Sequence, residues 1–74
     1  MGTADKLLER MCNNPRDWRI EQLKTVAQAY GIEWRQRGTS HLVFVRSDGQ
    51  TLPVPVNRPI KPIYIKKFVE FVTN

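Results

Sequence analysis

The chain has too little cysteine to cross-link itself. Cys12 is alone, so no internal disulfide staples the fold and no cysteine spacing suits a metal ion. Long apolar runs are missing as well: none approaches the ~18 residues a membrane-spanning helix needs. The opening Met1-Gly2-Thr3-Ala4-Asp5-Lys6 lacks the apolar stretch of a signal peptide, and Lys6 stands where a myristoylation signal needs Ser or Thr. These absences predict a cytoplasmic protein. No group of Asp, Glu or Cys is spaced to bind a metal, and no cofactor motif is present, so none is expected. Acidic residues are scarce in the second half. Residues 1–33 balance Lys6, Arg10, Arg16, Arg19 and Lys24 against Asp5, Glu9, Asp17, Glu21 and Glu33. Residues 34–67 set Arg35, Arg37, Arg46, Arg58, Lys61, Lys66 and Lys67 against Asp48 alone. That asymmetry suits a polyanion, or an acidic protein that competes with one, as well as it suits a plain solvated surface.

What is present is enough for one small core. With 74 residues, 41% of them apolar, the chain has material for a single domain and none for a second. Leu7, Leu8 and Met11 mark one side of a short first helix with Thr3 as N-cap, and Asn13-Asn14-Pro15 ends it. Cys12 reads as a small packing group at that end. A second helix spans about Ile20 to Tyr30, with Leu23, Val26, Ala27 and Tyr30 on its apolar stripe and Gly31 at C′. If Arg19 is the N-cap, Trp18 and Leu23 have the spacing of a hydrophobic staple.

The period then changes to two. Ile32 and Trp34 alternate with Glu33 and Arg35, Gly38-Thr39-Ser40 turns the chain, and Leu42 and Phe44 alternate with His41, Val43 and Val45. Ser47-Asp48-Gly49 signals a hairpin. In Thr51-Leu52-Pro53-Val54-Pro55-Val56 the two prolines lie two apart, so their missing N–H groups fall on one side, which makes this an edge strand with Leu52, Val54 and Val56 inward. Pro62 fits N1 of a last helix whose Ile65, Phe68, Val69 and Val72 follow the helical stripe. The fold class predicted is α+β, in the order α-α-β-β-β-α, with helices on one face of a three-stranded antiparallel sheet.

His41 is the only histidine. Histidine both takes and gives a proton near neutral pH, and RNA carries its own nucleophile, the ribose 2′-hydroxyl. With Leu42 and Phe44 in the core, His41 falls on the uncovered face beside Arg35 and Arg37. Spacing alone favours an idle surface or turn histidine.

The run Gly38-Thr39-Ser40-His41-Leu42-Val43-Phe44, followed by Asp48-Gly49, a Val-Pro strand and a Lys-Pro-led last helix, resembles the HicA family of bacterial toxins. The Tyr30-Gly31 helix end and the short strand to Gly38 match too. The resemblance covers Ile20 to Val72 within a single HicA-like domain over residues 1–74. It implies a small double-stranded-RNA-binding-like fold and the toxin of a type II toxin–antitoxin system. It also implies a ribosome-independent, metal-independent mRNA interferase, with His41 as the catalytic residue and a HicB-like antitoxin covering the active face. Two departures stand out. Thr39 sits where a second glycine or a basic residue is common, and the helix within residues 1–14 precedes the usual family start, as a packing supplement or as part of the antitoxin interface.

Arg35, Arg37 and Arg46 are candidates for a phosphate clamp, although strand alternation keeps all three from converging. Gly38, Thr39 and Ser40 form the turn that would meet substrate, and Ser40 either closes that turn or orients His41. Lys61, water or His41 itself would protonate the leaving oxygen. The alternative is a domain that binds RNA or DNA without cutting it. For that role Trp18 and Tyr64 are the stacking platforms, since Trp34, Phe44, Phe68 and Phe71 read as core.

Overall fold

A left-handed glycine separates the helical half of this chain from the sheet. Helix α2 (Ile20–Ala29) stops because Gly31 takes φ +73°, a region open to glycine at little cost. The Gly31 N–H then bonds the Gln28 carbonyl at 3.2 Å and the Ile32 N–H bonds Ala27 at 2.8 Å, closing a Schellman motif. Ile32 and Ala27, the apolar pair of that motif, are both buried. The computed structural model describes residues 2–38 and 40–73. Thr39, one of the positions assigned to substrate, lies outside the described residues.

The remaining elements are α1 (Thr3–Asn13), β1 (Glu33–Arg37), β2 (His41–Val45), β3 (Thr51–Pro55) and α3 (Pro62–Thr73). The sheet is antiparallel throughout, with spatial order β1-β2-β3. The protein is therefore α+β in the order α-α-β-β-β-α. No helix among the described residues is long and apolar enough to cross a membrane.

Register divides the sheet into two faces. The Val56 N–H bonds Ser40 at 2.7 Å and the Arg46 N–H bonds Gln50 at 2.8 Å, so even-numbered residues of β2 and β3 carry the ladder between them. Odd-numbered residues of β2 must then bond β1. It follows that Pro53 and Pro55 direct their donorless nitrogens outward, and β3 is the edge strand its prolines predict. Leu42, Phe44 and Val54 are buried under the helices. The Phe44 ring packs 5.0 Å from Phe68 of α3 and 6.3 Å from Trp34, centroid to centroid.

Helix α1 belongs to the same core, through Ala4, Leu8 and Met11. Three details differ from the sequence reading. Gly2, not Thr3, is the N-cap of α1, with no side-chain cap bond. Cys12 is exposed, because it falls one position past the Ala4–Leu8–Met11 stripe. Tyr30 lies just beyond α2 and is 39% exposed; its hydroxyl donates to Asp5 Oδ1 at 2.7 Å, tying α2 to α1. Arg19 does cap α2, its N–H bonding Gln22 Oε1 at 2.9 Å, and Trp18 and Leu23 are both buried as a staple requires.

Candidate active site on the open sheet face

The odd-numbered strand residues form the face that no helix covers. Arg37 lies directly across the ladder from His41, and Arg35 across from Val43. Side chains of such partners share a face and stand roughly 5 Å apart at Cβ. His41 is exposed, as are Arg35 and Arg37. On its other side His41 pairs with Pro55, a position without ladder bonds, where side chains approach more closely. The backbone of a central strand thus fixes the histidine while its ring stays open to solvent.

The Ser40 hydroxyl meets the histidine ring. Its Oγ lies 3.1 Å from His41 Nδ1. That contact engages one ring nitrogen and leaves Nε2 as the one to meet a ligand. Gly38, at φ +63°, turns the chain between β1 and β2, and its carbonyl accepts from Gln36 Nε2 at 3.1 Å. A shallow hollow of about 450 Å³ collects Arg37, His41, Val43, Thr51 and Pro53. Val43, Thr51 and Pro53 were not singled out as functional in the sequence. The parity of the β2–β3 register is the signal that places them beside His41.

Three of the proposed cationic contacts, Arg35, Arg46 and Lys61, do not line this hollow, although Arg35 keeps to the same face across from Val43. Arg46, an even-numbered residue, leaves the sheet on the helix side. One of its guanidinium nitrogens donates to the Phe71 carbonyl at 3.1 Å, the other pairs with Asp48, and the group lies 5.3 Å from the Phe71 ring centroid. Asp48 is correspondingly held below the ordinary carboxylate range, first by the Gln50 N–H and then by Arg46. Arg46 therefore pins the β2–β3 hairpin to α3 and is withdrawn from the clamp. Lys61 is exposed just before α3, beside Ile60, whose N–H bonds the Trp18 carbonyl at 2.8 Å. It does not line the hollow that holds His41.

Aromatic platforms are absent from the open face among the described residues. Trp18 is only 4% exposed and its Nε1 donates to the Asn14 carbonyl at 2.6 Å, so it is a core residue and not a stacking surface. Tyr64 is half-buried with the Lys67 ammonium 5.7 Å from its ring. Among the described residues, no three His, Cys, Asp or Glu side chains come together as metal ligands.

The chain matches no model of a known protein family, no curated protein and no solved structure.

Proposed function

We propose that the protein is a HicA-like endoribonuclease, the toxin of a type II toxin–antitoxin pair, which cleaves mRNA with His41 as its single acid–base group. The observation that carries this reading is the placement of an exposed histidine on a bare sheet face. One of its nitrogens is engaged by Ser40 Oγ, and Arg37 is its cross-strand neighbour.

His41 takes the proton of a ribose 2′-hydroxyl. The freed oxygen attacks the adjacent phosphorus, the bond to the 5′-oxygen breaks, and that oxygen gains a proton from water or from the imidazolium. The products are a 2′,3′-cyclic phosphate and a 5′-hydroxyl end. Arg37, with Arg35 along the same strand, holds the phosphate and offsets the charge that grows on its oxygens. Proton transfer by a positioned side chain typically contributes ~10²–10⁴-fold. Lys61 has no place in this scheme, because it precedes α3 and lies off the strands that carry His41, Arg35 and Arg37.

The reading in which the domain binds nucleic acid without cutting it is less well supported. Sequence-tolerant single-strand binders stack bases on aromatic rings, and the open face offers Val43, Val45, Pro53 and Pro55 instead. A HicB-like antitoxin that covers this face would block Arg35, Arg37 and His41 together, so occlusion alone suffices for inhibition.

Incubation of pure protein with end-labelled RNA in EDTA separates the two readings. Shortened products that carry cyclic phosphate ends support the nuclease. An intact but retarded band refutes it in favour of the binder.

A further inference from the structure

The two edges of the sheet are treated differently. On β3, Pro53 and Pro55 fill the outward positions, so that edge presents no donor there. On β1 the odd-numbered residues bond β2, which turns the N–H and C=O groups of Trp34 and Gln36 outward. Among the described residues nothing in the chain pairs with them. Exposed edges of this kind are templates for another strand.

The surroundings of β1 specify what such a strand would look like. The edge is flanked by a hollow of about 570 Å³ lined by Gln28, Gly31, Ile32, Glu33, Trp34 and Arg35. Trp34 is half-buried there and packs against the core. On the open side the edge shows Arg35 and Arg37, with Glu33 at one end. Paired antiparallel about its centre, a second copy of β1 would set Arg35 against Arg35 even as Glu33 met Arg37, so a segment whose acidic residues answer both arginines is the better complement.

We infer that the β1 edge is a docking site for an extended segment of an acidic partner protein, added as a fourth strand. Antiparallel to β1, the segment places acidic residues across from Arg37 and Arg35. Apolar residues fall across from Gln36 and Trp34, on the helix side, and a basic residue meets Glu33. Main-chain bonds to Trp34 and Gln36 give affinity, and this alternation gives selectivity. The bound segment engages the two arginines on His41's face. The inference does not depend on RNA cleavage, because binding is read without RNA.

The test uses the full chain with a blocked peptide, Glu-Val-Glu-Val-Lys, at millimolar concentration, followed by amide NMR and hydrogen exchange. The Trp34 and Gln36 amides should shift and become protected, while the edge of β3 should not respond. The charge-reversed peptide Lys-Val-Lys-Val-Glu should bind about tenfold or more weakly, since like charges face each other. Gln36→Pro, which copies the device of the other edge, should weaken binding about tenfold by deleting an outward donor. Arg35→Glu, an exposed change that leaves the ladder intact, should weaken it similarly. His41→Ala should bind the peptide as the parent does, so loss of cleavage and loss of docking are separable. No response at Trp34 and Gln36, equal binding of both peptides, or protection of those amides by self-association without peptide would each overturn the inference.

Discussion

Arg37 and Arg46 have the same chemistry and opposite placements, so truncating each to alanine should give opposite phenotypes. Arg37 stands across the ladder from His41, and its side chain makes no hydrogen bond among the described residues. If it holds phosphate as proposed, its removal should cost a charge-assisted bond, about 1.5–3 kcal/mol, which corresponds to roughly a 10- to 150-fold fall in cleavage rate. Folding should hardly change, because surface substitutions of this kind usually stay within ~0.5 kcal/mol. Arg46 donates to the Phe71 carbonyl at 3.1 Å and lies 5.3 Å from the Phe71 ring centroid, with its side chain 21% exposed. Losing that bond, about 1 kcal/mol, and that cation–π contact, about 0.5–1 kcal/mol, should destabilise the fold by about 1–2 kcal/mol. In a domain of this size each kcal/mol lowers Tm by roughly 4–8 °C. Single-turnover RNA cleavage below the melting range and thermal unfolding by circular dichroism read the two quantities separately. An Arg46→Ala protein that is fully folded yet loses cleavage as Arg37→Ala does would refute the division of the sheet into a chemical and a structural face.

Phe44→Ala should be the most disruptive single change in the sheet, because Phe44 is fully buried against Phe68 and Trp34; a loss of about 3–5 kcal/mol in urea unfolding is expected. Asp48 has its folded-state pKa depressed by the Gln50 N–H and by Arg46. It therefore contributes stability above its unfolded pKa, and that contribution is lost as pH falls below the ordinary 3.8 and through the lower folded value. Asp48→Asn should flatten the acid limb of a stability-against-pH curve in that range, and an unchanged limb would contradict the assignment. Reversing charge at Arg37 to Glu should weaken both RNA cleavage and binding of an inhibitory antitoxin, measured by calorimetry; loss of only one would mean that the two use separate surfaces.

Much of the sheet could be read from residue parity. Leu42, Phe44 and Val54 against His41, Val43 and Pro53 is a two-residue alternation, and one register choice orders both faces at once. The same parity set Arg35 and Arg37 beside His41 and barred Arg35, Arg37 and Arg46 from all converging, without saying which would stand apart. What the sequence hid depended on contacts between distant segments. The pairing of Trp18 with Ile60, which draws Trp18 into the core, joins two loops that share no periodic signal. The Tyr30 hydroxyl finds Asp5 across 25 positions, so an apparent stripe residue becomes a surface tie between helices. Cys12 escaped because a helix of 11 residues has a narrow buried stripe, and one position of phase decides between core and water.

One imidazole on the open face, that of His41, is proposed to break RNA. The most direct test is the single-turnover cleavage of a labelled mRNA fragment in EDTA by the parent and by His41→Ala, with both proteins first shown to share the same unfolding curve. The parent should yield cyclic-phosphate ends, and the variant, equally stable, should yield no product above background. Cleavage by His41→Ala at the parental rate would contradict the proposal.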